Sequence, residues 1–222
     1  MPADPSSERQ PPSRRIHAVG RALNDLVVRF PWTWPLVRGR MRSYFEGLAA
    51  DWDARTNAGS AEHLAALAAG LTAVRPAPER ALDLGTGTGE AALLVAREFP
   101  QARVRGVDIS PAMIGVARAK VGLDPEGRIA FKVADAADLP WPEDSFDLVT
   151  GLNMPPFFAE VARVLRPEGY VVFAASWGPE TPFYTPPDAL QRGFAERGVA
   201  EVARGSAAAG TYWVGRAAAP SP

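Results

Sequence analysis

Ala81-Leu-Asp-Leu84 is a short apolar run that ends in Gly85-Thr-Gly-Thr-Gly89, and the residues that follow, 90–98, carry helical periodicity. An apolar strand that turns on three glycines straight into a helix reads as the first βα unit of a mostly parallel sheet. Glycines there let the chain turn tightly and let the backbone come close to a ligand, and the helix start favours an anionic group. Spacing narrows the choice. A dinucleotide fingerprint needs its third glycine at position 90; here it comes at Gly89, and Glu90 stands where its charge would repel a pyrophosphate. No Gly-Lys-Ser/Thr follows, so the phosphate loop of nucleotide hydrolases is excluded as well. The turn is expected to hold a nucleoside-like ligand with less negative charge than a dinucleotide.

The rest of the chain supports an α/β reading. Strand patterns at 103–107, 129–133, 146–150 and 170–176 alternate with helical patterns at 110–121, 157–165 and 189–196, and 199–203 with 210–215 reads as a closing hairpin. Upstream of residue 80 there is no strand candidate, only three helical stretches at 16–29, 35–54 and 60–74. The expected organisation is a disordered tail over 1–15, an N-terminal helical cap or lid over 16–78, a ligand-binding domain over 79–217 and a short tail over 218–222. Such alternation predicts a Rossmann-like three-layer sandwich with the ligand at the carboxyl ends of the strands.

Two more strand ends carry site candidates. Asp108 ends the second strand, where a carboxylate is placed to accept both hydroxyls of a ribose, and Ile109 beside it offers an apolar face to a purine. Asp135 follows the third strand, where it can accept from an exocyclic amine. Taken alone, Asp135 suits a turn or cap; the role leans on its neighbours.

ALDLGTGTGE, RGVDISPAMIGVARAK, VADAADLPWPEDSFDLV and RVLRPEGYVVFA occur in that order. Together they resemble the successive motifs of class I S-adenosylmethionine-dependent methyltransferases, most of all the small-molecule branch of ubiquinone/menaquinone type. The resemblance covers residues 41–216 and implies a seven-stranded sheet with its last strand antiparallel. By match to those motifs, Asp83, Gly85, Thr86, Gly87 and Gly89 would hold the methionine end of S-adenosyl-L-methionine and Asp108 the ribose. Ile109 and Met113 would flank the adenine, Asp135 and Ala136 would lie at its edge, and Asn153 joins the cofactor-binding set. Tyr44-Phe45 with Ala50-Asp-Trp52-Asp53 resembles the family's helix over the cofactor. Only 13 residues separate Val149 from Arg163, a stretch shorter than the family pattern, so the family's acceptor-side residues do not transfer. Asn153-Met-Pro-Pro-Phe157 is a weak match to the signature of amine methyltransferases, because Met154 stands where that signature needs a polar acceptor.

Composition sets the remaining limits. There is no cysteine, which excludes disulfides, thiolate nucleophiles and cysteine metal sites, and His17 and His63 lack a metal-ligand spacing. A net charge of −1 gives no bulk attraction to nucleic acid. No apolar run approaches the length of a membrane span and the N-terminus has no signal-peptide core, so a cytoplasmic protein is expected. His63 is expected to be solvated or capping rather than a general base, and no catalytic residue is assigned. Seven arginines against Asp25 give residues 14–42 a net charge of about +6 around Trp32 and Trp34, which suits a lid, a peripheral membrane foot, or an arginine-rich helix pair packed on the domain. The expected activity is methyl transfer to a small-molecule acceptor. A cofactor-binding regulatory protein without transferase activity, and an amine methyltransferase acting on nucleic acid or protein, are the rival readings.

Overall fold

The computed structural model describes residues 14–124 and 126–219. Of the tails expected over 1–15 and 218–222, residues 1–13 and 220–222 lie outside the described residues; residues 14 and 15 already belong to the first helix. Seven strands form one sheet: β1 (Arg80–Leu84), β2 (Arg103–Asp108), β3 (Ile129–Val133), β4 (Phe146–Leu152), β5 (Leu165–Ala175), β6 (Val199–Ala207) and β7 (Gly210–Ala217). Their spatial order is β3-β2-β1-β4-β5-β7-β6. β1 pairs in parallel with β2 and β4, while β7 runs antiparallel between β5 and β6. The chain builds outward from β1 to β3 and then crosses back to β4, so the order reverses beside β1. That reversal opens a crevice beyond the carboxyl ends of β1 and β4, where open α/β sheets take ligands.

Helices cover both faces. α4 (Ala61–Leu71), α5 (Glu90–Glu98) and α6 (Pro111–Lys120) pack on one, α7 (Phe158–Val164) and α8 (Pro187–Ala195) on the other. Burial on both sides explains the continuous apolar strands. Along β5, Tyr170, Val172 and Ala174 face the first layer while Val171 and Phe173 face the second. In β1, Ala81 faces the first layer and Leu82 and Leu84 the second, which turns Asp83 toward the α5 side. Ser60 and Ser110 cap α4 and α6 by accepting the backbone N–H of His63 and Met113, and Pro111 takes the first position, where its missing N–H costs nothing.

The segment before β1 divides in two. α4 is a layer helix: Leu64, Leu67 and Leu71 are part of the core. α1 (Arg14–Arg29), a 3-10 turn at Pro31–Thr33 and α2 (Trp34–Leu48) lie instead over the loops at the carboxyl ends of the strands. There the amide of Asn24 donates to the Tyr184 carbonyl at 3.0 Å, and Trp34 meets Phe157 edge-on at 5.1 Å. The single helix expected over 35–54 is broken by a 3-10 turn at Ala49–Asp51, after which α3 (Trp52–Thr56) ends on Asn57 in the left-handed conformation. Gly47 weakens the end of α2, and the tighter turn sets Trp52 edge-on to Phe45 at 5.5 Å.

Candidate functional site

The three glycines of the turn all have positive φ, +57° at Gly85, +53° at Gly87 and +92° at Gly89, a conformation that favours residues without a Cβ. They do different work. A Cβ on Gly89 would come within 2.8 Å of the Phe131 ring and 3.1 Å of Ala117, so that glycine lets α5 and α6 close on the sheet. A Cβ on Gly87 would meet nothing within 4 Å, so the chain faces open space there. Gly85 is exposed too, with the Met154 sulfur 3.0 Å from where its Cβ would stand. The backbone N–H groups of Thr86, Gly87 and Gly89 donate to Val107, Asp108 and Thr86. With those donors engaged inside the fold, the turn offers shape rather than a nest of amides. Such a surface suits a ligand that is not a polyphosphate.

Asp108 sits at the end of β2. Its Oδ2 accepts the Gly87 N–H at 3.0 Å and its Oδ1 the Ser110 N–H at 2.8 Å, so one carboxylate fixes both the turn and the start of α6. Burial pushes its carboxyl above the ordinary carboxylate range, against the pull of those two amides. Asp83 lies beneath the turn, closed from solvent. The Thr150 hydroxyl donates to its Oδ1 at 2.7 Å, while its Oδ2 and the buried hydroxyl of Thr86 have no partner. Burial pushes Asp83 up to about 6, and the neighbouring Asp108 charge adds to the rise.

Asp135 is already engaged. Its Oδ1 accepts from the Trp34 indole at 2.8 Å and the Ala137 N–H at 2.9 Å; its Oδ2 accepts from the same indole at 3.0 Å and from Arg38 at 3.0 Å. Trp34 and Arg38 were not singled out by spacing; the only signal was the arginine and tryptophan content of their segment. Trp34 is buried while Trp32 is 72% exposed, so the two tryptophans do not form one foot. Ile109 and Ala136 are half-buried near this end, and Met113 lies fully in the core beneath. Asn153, at φ 57°, uses its amide otherwise: Nδ2 donates to the Ser176 hydroxyl at 2.9 Å and Oδ1 accepts the Ser176 N–H at 2.8 Å. It clips the end of β4 to the end of β5.

A second polar group braces the turn from α3. The Thr88 hydroxyl donates to Asp53, and Lys120 bridges Asp53 and Glu90, at 2.7 Å from the latter. Glu90, whose charge weighed against a pyrophosphate, thus has its own cation. His63 differs from expectation. It is buried, edge-on to Trp177 at 5.0 Å, with Nδ1 unpartnered, and burial lowers its pKa, so it stays neutral at pH 7. The Ser60 cap places it on the first turn of α4, facing inward.

Residues 81–169 match a family model described as a methyltransferase domain. The chain thus carries a stretch similar to a methyltransferase domain. Over 118 residues, half of this chain and 39% of the relative, the chain is 40% identical to a malonyl-[acyl-carrier protein] O-methyltransferase of Halorhodospira halophila. Over 110 residues, 45% of this chain and 48% of the relative, it is 39% identical to a demethylmenaquinone methyltransferase of Thermus thermophilus. It therefore spans half or less of the length of these two relatives. Its fold is shared with magnesium protoporphyrin IX methyltransferase of Synechocystis, solved with bound SAH (TM-score 0.64, 18% identity, 82% of this chain and 100% of that one). A putative methyltransferase of Haloferax volcanii, solved in complex with a methyltransferase activator, shares it as well (TM-score 0.65, 23% identity, 78% and 97%).

Proposed function

We propose that this protein transfers the methyl group of S-adenosyl-L-methionine to a small-molecule acceptor by in-line displacement. The observation that carries the reading is the open space before Gly87, bordered by the half-buried Asp108 carboxylate on the adjoining strand end. In this reading Asp108 accepts the ribose hydroxyls, and Gly85, Thr86 and Gly87 line the methionine portion. Gly89 and Asp83 hold the turn from below, and the unpartnered Oδ2 of Asp83 suits a bridging water or a cationic group. Ile109 and Ala136 lie along the adenine with Met113 supporting them from the core. Asp135 meets its amine, and since that carboxylate already accepts from Trp34 and Arg38, those two residues belong to the same end of the site. Asn153 positions the loop that carries Met154.

The bound cofactor supplies a sulfonium methyl that is already activated, so the protein's task is alignment and exclusion of water rather than strong acid or base chemistry. Met154, packed against Gly85, borders the methionine end. Behind it lies a cavity of about 20 Å³ lined by Phe173, Phe183, Leu190 and Trp213 among others, and a second of about 10 Å³ lies between Trp34, Met41, Pro155 and Phe183. Their lining is mostly apolar, and such volumes hold a water at most, so an apolar acceptor enters by movement of α1 and α2. No described helix is long and apolar enough to cross a membrane, and a chain without cysteine fits the reducing cytoplasm. The test is calorimetry with S-adenosylmethionine and S-adenosylhomocysteine, followed by mass spectrometry of labelled methyl transfer into a small-molecule extract. Binding with label in a small molecule supports the reading; absence of binding to both compounds overturns it.

A further inference from the structure

Six of the ten large apolar side chains that stand well exposed among the described residues fall between residues 19 and 44: Val19, Leu26, Phe30, Trp32, Leu36 and Tyr44. Five of them continue one stripe. α1 turns Gly20, Asn24 and Val27 inward, while Val19, Ala22, Leu26 and Phe30 recur three and four residues apart on the outer side. Trp32 and Leu36, 72% and 74% exposed, extend the stripe past the elbow made by Pro31 and Pro35. Phe30 and Trp32 stand 6.4 Å apart, and the Arg29 guanidinium lies 5.4 Å from the Phe30 ring. Arg29 and Arg40 are exposed, and among the described residues neither has an acidic side chain within 4 Å. After Asp25 no acidic residue occurs before Glu46.

We infer that this elbow docks the protein on an anionic lipid surface, with Phe30, Trp32 and Leu36 seated among the acyl chains and Arg29 and Arg40 at the level of the headgroups. Large apolar side chains on a basic helical face, with an aromatic at the rim, are what interfacial binding uses. The first 13 residues, MPADPSSERQPPS, carry too little apolar surface to cover the patch themselves. Trp34, two residues from Trp32, is turned the other way onto Asp135, so the outer face is separate from the contact that seats α2 on the domain.

The experiment is co-sedimentation of the full chain with phosphatidylcholine vesicles, alone or with about one third phosphatidylglycerol. The protein should pellet with the anionic vesicles and be released by high salt. Trp32→Ala with Leu36→Ala removes two side chains whose burial is worth at least a factor of about ten each, so partition should fall by a hundredfold or more. Arg29→Ser and Arg40→Ser should each weaken it about fivefold. All four positions are exposed, so melting temperature and S-adenosylhomocysteine affinity should not move. Equal partition to neutral and anionic vesicles, or partition unchanged in the Trp32/Leu36 variant, overturns the proposal. So does a vesicle-free sedimentation mass that falls from dimer to monomer in that variant, which would make the patch a self-association face. Vesicle docking by a protein that binds no S-adenosylhomocysteine would sink the methyl-transfer reading and leave the docking intact.

Discussion

The Trp34 indole N–H points at both oxygens of the Asp135 carboxylate, at 2.8 and 3.0 Å, across 101 residues of sequence. One hydrogen bond to a charged group therefore joins the N-terminal helices to the end of β3, inside the region assigned to the adenine. Arg38 reinforces it from one turn further along α2, but with half of its side chain in solvent.

Trp34→Phe tests that junction, because it keeps a ring against Phe157 and removes only the donor. A hydrogen bond to a buried charge is worth about 1.5–3 kcal/mol, so the melting temperature should drop by several degrees and trypsin should cut within α1 and α2 sooner. Arg38→Ala, an exposed partner, should cost less than about 1 kcal/mol. A Trp34→Phe protein with wild-type melting and proteolysis would show that the indole does not hold the helices down.

Asp108→Ala removes the carboxylate proposed to take the ribose. At about 1.5–3 kcal/mol for each charge-assisted bond, affinity for S-adenosylhomocysteine should fall at least tenfold in calorimetry. Unchanged affinity would mean that the ribose lies elsewhere.

The glycines separate ligand contact from packing. Gly87→Ala places a methyl group in open space at a cost of about 1–2 kcal/mol for the left-handed backbone, so the protein should stay folded while cofactor binding drops sharply. Gly89→Ala drives a methyl group into Phe131 and Ala117 and should lower stability far more. If circular dichroism melts showed the two variants equally destabilised, Gly87 would be structural.

Asp83 predicts a pH dependence with a definite sign. Its carboxyl is raised from 3.8 to about 6 in the folded protein, so the folded state holds the proton more tightly than the unfolded chain. This group favours folding most below pH about 4, and its contribution is lost as pH climbs from about 4 through about 6. Asp108 is shifted the same way and keeps part of the slope. Asp83→Asn, which retains an acceptor for Thr150, should gain stability on wild type as pH rises through that window, by up to about 3 kcal/mol above it. Denaturant titrations at pH 4, 5, 6 and 7 would show it; a difference independent of pH would exclude ionisation of Asp83 as the cause.

The sheet was legible from the sequence because its strands are buried on both faces and its turns are marked by glycine and proline. Both signals are local. The hairpin of β6 and β7, the Ser60 and Ser110 caps and the glycine turn all follow from residues within a few positions of one another. Asp108 was placed by the same logic, since the end of a strand fixes where its side chain can reach. The division of the N-terminal segment was not legible: α1, α2 and α4 all look amphipathic, and only packing shows that Leu64, Leu67 and Leu71 enter the core while α1 and α2 cover loops.

What the amino-acid order determined by itself is the mostly parallel α/β frame and the strand–glycine turn–helix unit that opens it, because period and turn chemistry act over short stretches. What only the tertiary structure decided is which partners the polar groups meet. Asn153 pairs with Ser176, Asp135 is shared with Trp34 and Arg38, and His63 is buried against Trp177, each with a partner far away in sequence. Such partners meet only when the sheet order brings distant strand ends and helices to one edge, and no local pattern encodes that meeting.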